Sequence, residues 1–112
     1  MKIESTSEGG LARLGLSGRI DASTSGELDT AVDGVFGGGS RQIVFDLGAV
    51  SYVSSAGLRA FVRAAKKAKS LGGGIALFGL QAGVSEIFGA AGFDKIIPIA
   101  SSAAEAQERL GA

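Results

Sequence analysis

The chain has 112 residues, and its eleven basic and eleven acidic side chains leave no net charge at neutral pH. It contains no cysteine and no histidine, which excludes disulfides, thiolate metal sites and a Ser-His-Asp catalytic arrangement. The balanced charge argues against nucleic-acid binding driven by a positive field. No apolar stretch approaches the ~20 residues of a membrane span, and the start of the chain lacks the apolar segment of a signal peptide. We therefore expect one soluble, cytoplasmic domain over residues 1–112.

The first twenty residues predict a pair of strands. Residues 1–5 are expected to form a short edge strand, and Glu8-Gly9-Gly10 is typical of a turn. Residues 11–16 alternate loosely between apolar and polar side chains, which favours a second strand that returns along the first as a hairpin. Gly18-Arg19-Ile20-Asp21 is expected to end that strand.

A helix is predicted next. Thr24 and Glu27 have the spacing of a capping box, in which a hydroxyl and a carboxylate each bind an unpaired backbone N–H at the start of a helix. The triple glycine at 37–39 is expected to stop this helix. Between these signals, apolar residues recur at helical spacing: Leu28, Ala31, Val32, Val35 and Phe36.

Residues 41–47 are the most strand-like segment, because their nearly continuous apolar run is typical of a strand buried on both faces. After a short connection, a helix is predicted from Leu58 to about Ser70. One face of this helix is apolar, and the opposite face is basic: Arg59, Arg63, Lys66, Lys67 and Lys69. That basic face is either a solvated helix surface or a docking patch.

The remainder predicts two more strands and two more helices. Residues 74–79 form a short apolar strand, and a third helix, closed by Gly92, follows from apolar residues at helical spacing. Residues 95–99 are expected to form the last strand, at an edge because proline cannot donate to a central ladder. Residues 103–110 predict a final helix.

The order β-β-α-β-α-β-α-β-α predicts an α/β domain with a mixed, mostly parallel sheet of about five strands and four helices. In such sheets functional groups collect beyond the carboxyl ends of the strands. The pair Ser54-Ser55 is expected there, at a junction between strand and helix, together with Asp21 and the turn at 80–83. One of the two serines either simply caps the helix or belongs to a functional site, since serine is a preferred N-cap residue.

Other candidate chemistry is weak. The glycine clusters match no phosphate-binding motif. Such a motif has its glycines between a strand and a helix, with Lys-Ser or Lys-Thr directly after the last glycine, and no cluster here meets both conditions. Asp46 is either a buried acid or a strand-end residue whose carboxylate accepts from nearby N–H groups. The serine turn lacks the first glycine of a hydrolase nucleophile elbow, and no histidine exists to activate a serine. We therefore expect no catalytic residue, no metal, no cofactor and no enzymatic activity.

Two neighbouring segments carry a resemblance to a known family. The run Ile43-Val44-Phe45-Asp46-Leu47, a short spacer and Val53-Ser54-Ser55-Ala56-Gly57-Leu58 together resemble the STAS domain of anti-sigma factor antagonists. Gly18-Arg19-Ile20-Asp21 is similar to the element that this family has before its first helix. Gly89-Ala90-Ala91-Gly92-Phe93 is similar to the family's turn before the final strand. The resemblance covers essentially the whole chain.

The resemblance implies a sheet flanked by four helices and a phosphorylatable hydroxyl at Ser55. Ser54 occupies a position that is often Asp in the family, and Ala56 occupies the position of a second hydroxyl. The expected partner-binding residues lie around this turn: Asp21, Ser54, Ser55, Ala56, Gly57 and Arg59. From the sequence, Asp21 is either a turn residue or part of that partner surface.

The resemblance also implies a function. The unphosphorylated protein is expected to bind an anti-sigma factor of the serine-kinase type and so free the sigma factor. Phosphorylation of Ser55 is expected to end that binding, and a serine phosphatase to restore it. Two alternatives stay open: a scaffold or transport-accessory module that binds regardless of phosphorylation, and a nucleotide-binding module.

Overall fold

The structure is a computed structural model that describes residues 1–111. Its elements follow the predicted order, with a 3-10 helix at Phe93–Lys95 before the last strand. Their bounds are β1 Lys2–Glu8, β2 Leu11–Ile20, α1 Ser25–Gly37, β3 Gln42–Val53, α2 Ser55–Ser70, β4 Gly74–Phe78, α3 Ala82–Ala90, β5 Ile99–Ala100 and α4 Ala103–Arg109.

The five strands form one sheet in the order β1-β2-β3-β4-β5. β1 and β2 are antiparallel, because a tight turn joins them in which Gly9 and Gly10 have φ of 60° and 83°. Such positive φ values favour glycine. The remaining pairs are parallel, as strands joined through crossover helices are. The predicted α/β fold, with a mixed and mostly parallel sheet and four helices, is confirmed.

The main core lies between the sheet and the helices that follow β2, β3 and β4. At its centre the ring of Phe61 packs edge-on against Phe45, with centroids 5.2 Å apart, and lies 5.7 Å from the ring of Phe88. All three side chains are fully buried. A smaller apolar cluster lies around Val44 and Ala106, where α4 covers part of the sheet. The first part of β3, residues 43–45, is therefore buried on both faces, as its apolar run predicted.

β3 is longer than predicted, since it continues beyond Leu47 to Val53. Its second half pairs with the end of β2, but the register shifts twice, between Gly15 and Ser17 and between Gly18 and Arg19. At each shift β3 contributes one residue more than β2, as in a β-bulge. The extra residues break the alternation of buried and exposed side chains, so the sequence pattern alone does not indicate a strand there.

The predicted strand at 95–99 is wrong in most of its length. Phe93–Lys95 forms a 3-10 helix, and only Ile99–Ala100 pairs with β4. The Pro98 carbonyl accepts from the Leu77 N–H at 2.9 Å, but Pro98 has no N–H to donate. The ladder therefore begins only after the proline.

Candidate functional site

The serine turn lies where β2 and β3 end and α2 begins. The Ser54 N–H donates to the Ile20 carbonyl at 2.9 Å, which joins the turn to the end of β2. The residues around it line a shallow, open depression at the sheet's carboxyl edge: Arg19, Asp21, Ala22, Ser23, Tyr52, Ser54, Ser55 and Ala56. Of the six predicted partner-binding residues, the four side chains of Asp21, Ser54, Ser55 and Ala56 are thus brought together.

The two neighbouring serines have different roles. Ser54 is the N-cap of α2, with extended backbone angles and a hydroxyl that accepts from the Gly57 N–H at 3.3 Å. Ser55 is the first helical residue, and its side chain is exposed. Within residues 1–111 the Ser55 hydroxyl makes no hydrogen bond. The capping hydroxyl and the free hydroxyl are therefore two separate groups, so capping by one serine leaves the other available.

The free hydroxyl lies at the positive end of a 16-residue helix. No acidic residue occupies the first turn, and in the described part of the chain the backbone N–H groups of Ser55 and Ala56 have no acceptor. Unpaired N–H groups and the helix dipole together favour a negative charge at this position. The site therefore suits an anionic group attached to, or placed beside, Ser55.

Gly57 is buried beneath this surface, and its contact with a partner stays a prediction. A Cβ at this position would lie 2.7 Å from the Ile20 carbonyl oxygen and 2.9 Å from a side-chain atom of Val53. Glycine is needed here because the first turn of α2 packs directly on the ends of β2 and β3. Gly57 therefore shapes the site by letting α2 pack this closely on the sheet.

The loop after β2 holds a charged carboxylate beside the serine turn. One oxygen of Asp21 accepts from the Ser23 hydroxyl at 2.6 Å and from the Ser23 backbone N–H at 3.0 Å. These two hydrogen bonds, and then the Arg19 guanidinium 3.8 Å away, lower the pKa of Asp21 below its ordinary value. The carboxylate is therefore ionised at neutral pH.

The capping box predicted at Thr24 and Glu27 is wrong. Thr24 is the N-cap of α1 by position, but its side chain makes no capping hydrogen bond. The Thr24 hydroxyl instead accepts from the Asp21 N–H at 2.9 Å and donates to the Arg19 carbonyl at 2.9 Å. The hydroxyl closes the loop back onto β2, and this fixes the position of Asp21.

Arg19 and Tyr52 form a contact at the site that the sequence did not indicate. The Arg19 guanidinium lies 4.4 Å above the Tyr52 ring, and the two residues face each other in the β2–β3 register. Tyr52 is one of few large apolar side chains that stay exposed, at 36%. Because the register depends on both bulges, no spacing in the sequence signals this pair. Arg59 is exposed on α2, four residues after Ser55 and so on the same helix face.

The turn at 80–83 does not join the site. The side-chain amide of Gln81 donates to the Gly48 carbonyl at 3.0 Å, and Gly48 lies at the middle of β3. β4 ends at Phe78, which pairs with Asp46, whereas β3 continues for seven further residues. The carboxyl ends of the two strands are therefore far apart.

Asp46 is a half-exposed acid and not a buried one. Its carboxylate accepts from the Gly48 N–H at 2.9 Å and lies 3.9 Å from the Arg13 guanidinium. The expectation that it pairs with a nearby N–H is confirmed, although the strand continues past it.

Part of the basic face of α2 contacts α1. The Arg63 guanidinium donates to both carboxylate oxygens of Asp29, at 2.8 and 3.3 Å, and the Lys67 ammonium lies 2.9 Å from an Asp33 oxygen. These two cations are engaged in helix packing. The basic face of α2 is therefore neither fully solvated nor a continuous docking patch.

Neither a cluster of metal ligands nor a membrane-spanning helix occurs in the part of the chain that the structure describes. Residues 1–111 contain no group of three or more potential ligands that could hold a metal ion. No helix among them is long and apolar enough to cross a membrane.

Comparison with known proteins places the chain in a family. The sequence pattern of the STAS domain matches residues 2–106. The chain is 32% identical over 102 residues to a Bordetella bronchiseptica protein named "Putative anti-sigma factor antagonist BtrV", covering 91% of this chain and 88% of that protein.

Solved structures have the same fold. An anti-sigma factor antagonist from Mycobacterium paratuberculosis is similar with a TM-score of 0.82, at 21% identity over 99% of this chain and 94% of that one. The antagonist SpoIIAA in its unphosphorylated form has a TM-score of 0.82, at 14% identity over 99% and 98%. The Bacillus SpoIIAA in its phosphorylated form has a TM-score of 0.72, at 15% identity over 96% and 98%. The chain belongs to the STAS domain family.

Proposed function

We propose that this protein is an anti-sigma factor antagonist that acts as a phosphorylation switch in the cytoplasm. In its unphosphorylated form it binds a serine-kinase anti-sigma factor through the surface around Ser55, and the sigma factor is released. Phosphorylation of Ser55 ends that binding, and a serine phosphatase restores it. The protein is the substrate in this cycle and not an enzyme.

The observation that carries the proposal is the free hydroxyl of Ser55. It is exposed and unbonded within residues 1–111, whereas the Ser54 hydroxyl next to it is half-buried and bound to the Gly57 N–H. A kinase needs a hydroxyl that can enter its own active site without disrupting the substrate's fold. Ser55 meets that requirement better than Ser54, and the similarity to an antagonist solved in both forms supports the proposal.

Ser55 lies where an added phosphate does not destabilise the fold. A phosphoserine carries about 1.5 to 2 negative charges at neutral pH. At a helix N-terminus a negative charge is stabilised by about 0.3–1 kcal/mol, and no acid in the first turn of α2 opposes it. We therefore expect the phosphorylated domain to stay folded.

The same charge acts against a bound partner. A partner carboxylate ~4 Å from one added charge costs about 4 kcal/mol at an effective dielectric of 20, which is about a thousandfold in affinity. The one carboxylate already on this surface, Asp21, lies 3.8 Å from the Arg19 guanidinium, so the phosphate supplies the uncompensated negative charge that the partner meets. The switch changes the interface and leaves the fold intact.

The transfer itself needs groups that the kinase supplies. The Ser55 oxygen forms a bond to the γ-phosphorus of ATP while the bond between that phosphorus and the β–γ bridging oxygen breaks, and ADP leaves. The hydroxyl proton passes to a base of the kinase. The contribution of this chain is to present the exposed hydroxyl of Ser55.

The proposal is tested by incubating the protein with ATP and candidate serine-kinase anti-sigma factors, followed by mass spectrometry and calorimetric binding. The wild type and Ser54→Ala are expected to gain one phosphate and Ser55→Ala none. Ser55→Ala is expected to keep binding in the presence of ATP. Phosphate incorporated into Ser55→Ala at undiminished stoichiometry contradicts the site.

Two further outcomes distinguish the alternatives. Equal affinity of the phosphorylated and unphosphorylated protein for the partner indicates a scaffold that does not switch. Tight calorimetric binding of a purine nucleotide to the isolated protein indicates a nucleotide-binding module.

A further inference from the structure

One edge of the sheet is long, regular and open. β1 spans seven residues, Lys2–Glu8, contains no proline, and pairs with β2 in an unbroken register. No strand within residues 1–111 pairs with its outer side. Such edges expose a row of backbone N–H and C=O groups that can template another strand, and proteins usually shorten, bulge, charge or cover them. The opposite edge, β5, has only two residues and offers no comparable template.

We propose that β1 pairs with β1 of a second copy of this chain, antiparallel about a two-fold axis at Ser5. The sheet of one copy then continues into the sheet of the other. The charges along β1 select this pairing, and the site at Ser55 takes no part in it.

Geometry restricts the possible registers. Directly opposite residues of an antiparallel pair lie on the same face of the sheet, and neighbouring residues of one strand lie on opposite faces. In a two-fold pair, an even-numbered residue must therefore lie opposite an even-numbered one, and an odd-numbered residue opposite an odd-numbered one. The two-fold axis then passes through a residue and not between two residues. Because β1 has seven residues, an axis at its middle residue, Ser5, pairs all of them, and any other axis pairs fewer.

The charges favour the same axis. With the axis at Ser5, Lys2 lies opposite Glu8 of the second copy, and this ion pair occurs twice. Glu4 lies opposite the uncharged Thr6. Opposite charges across a strand pair stabilise it, and like charges directly opposite destabilise it.

The neighbouring registers bring like charges together. An axis at Glu4 places the two Glu4 carboxylates opposite each other. An axis at Thr6 places Glu4 opposite Glu8 twice. Among residues 1–111, Lys2 forms an ion pair only with Glu4 of its own strand, at 3.5 Å with both side chains about three-quarters exposed, so its ammonium can turn toward a second chain. Like charges thus disfavour the two neighbouring registers, and any axis farther from Ser5 pairs at most three residues of β1.

The helix-facing side of β1 also permits the pairing. Ile3, Ser5 and Ser7 face a groove of about 510 Å³ between β1 and α1. Ile3 of β1 and Val35 of α1 are only partly buried there. At the axis two small Ser5 side chains meet and do not obstruct the approach. The second copy covers part of the apolar surface that α1 leaves open.

The pairing is expected to be weak. One pair of seven-residue strands buries less than the ~1,200 Å² typical of a stable interface, so the dimer forms only at high protein concentration. Ser55 lies beside the ends of β2 and β3, so it stays accessible in both copies.

Sedimentation equilibrium of the wild-type protein up to about millimolar concentration tests the proposal. A monomer–dimer equilibrium is expected for the wild type. Glu8→Lys places two lysine pairs across the axis and should raise the dimer Kd about tenfold or more. The double variant Lys2→Glu/Glu8→Lys restores both ion pairs and should return Kd to within about threefold of the wild type. A wild type that stays monomeric, or a double variant that is no better than the single one, overturns the proposal.

A cross-link tests the register directly, because the native chain has no cysteine. Ser5→Cys places two thiols opposite each other, within reach of a disulfide, and should form covalent dimers rapidly under mild oxidation. Ser7→Cys is the matched control, since its two thiols lie four residues apart, about 13 Å at the rise of a strand. Equal cross-linking rates in the two variants contradict the axis at Ser5.

Discussion

A Cβ atom on Gly57 would lie 2.7 Å from the carbonyl oxygen of Ile20. The first turn of α2 therefore packs against the end of β2 with no room for a side chain. Three groups depend on this contact: the Ser54 N–H that bonds to Ile20, the capping hydroxyl of Ser54 and the exposed hydroxyl of Ser55. The shape of the candidate site is therefore set by the close approach of two backbone segments.

Gly57→Ala is expected to destabilise the protein by about 1–3 kcal/mol, because the added methyl overpacks a closed contact. Urea unfolding measures the change. Gly34→Ala in α1 is the matched control, since its Cβ meets nothing within 4 Å, and alanine there should stabilise by about 0.5–1 kcal/mol through helix propensity. A neutral effect of Gly57→Ala shows that α2 can shift away from β2.

The two serine variants are expected to differ in stability. Ser54→Ala removes the hydroxyl that caps α2 and should cost about 1 kcal/mol in the free energy of unfolding. Ser55→Ala removes an exposed hydroxyl with no partner in residues 1–111 and should stay within about 0.5 kcal/mol of the wild type. Thermal and chemical denaturation of both variants provide the check. The reverse order of effects assigns the cap to Ser55.

The pKa of Asp21 is expected to lie below its ordinary value of 3.8, and a carboxyl-detected NMR titration measures it. Ser23→Ala removes the strongest cause, the hydroxyl 2.6 Å away, and should raise the pKa toward the ordinary value. Arg19→Gln removes a weaker cause and should raise it less. An Asp21 pKa at or above 3.8 in the wild type contradicts the hydrogen-bonded loop.

The same carboxylate makes stability depend on pH. Because the pKa of Asp21 is lower in the folded than in the unfolded protein, its contribution is complete above about pH 3.8 and is lost as pH falls through the folded pKa. Asp21→Asn should therefore be less stable than the wild type at neutral pH, and the gap should close in acid. Urea unfolding of both proteins between pH 2 and 7 measures it. A stability difference that grows as the pH falls would mean that the pKa of Asp21 is raised, and not lowered, by folding.

The ion pairs between α1 and α2 are expected to contribute little. Asp29 and Arg63 have side chains 39% and 52% exposed, and exposed pairs are typically worth about 0.2–1 kcal/mol. A double-mutant cycle with Asp29→Ala and Arg63→Ala should give a coupling in that range at low salt, and less in 1 M salt because the charges are screened. A coupling that does not respond to salt contradicts this description.

The sequence predicted the order of elements because that information is local. Helical spacing such as Leu28 to Phe36, the apolar run of β3 and glycines that end helices each depend on neighbouring residues. The resemblance carried by the serine turn likewise lies within a short segment. The junction between β3 and α2, and the placing of Asp21 beside it, followed from the rule that parallel strands end at one edge.

Tertiary structure decided how those elements meet. Two bulges carry β3 on to Val53 and align Arg19 with Tyr52, and the same extension separates the turn at 80–83 from the site. Tertiary contacts also decide that the Thr24 hydroxyl bonds to the Arg19 carbonyl and that Arg63 pairs with Asp29. The sequence by itself determined that a serine pair starts a helix at the end of a strand. Only the packing of α2 on β2 decided that Ser54 is the cap and Ser55 the exposed hydroxyl, because burial and hydrogen bonding depend on residues that are distant in the chain.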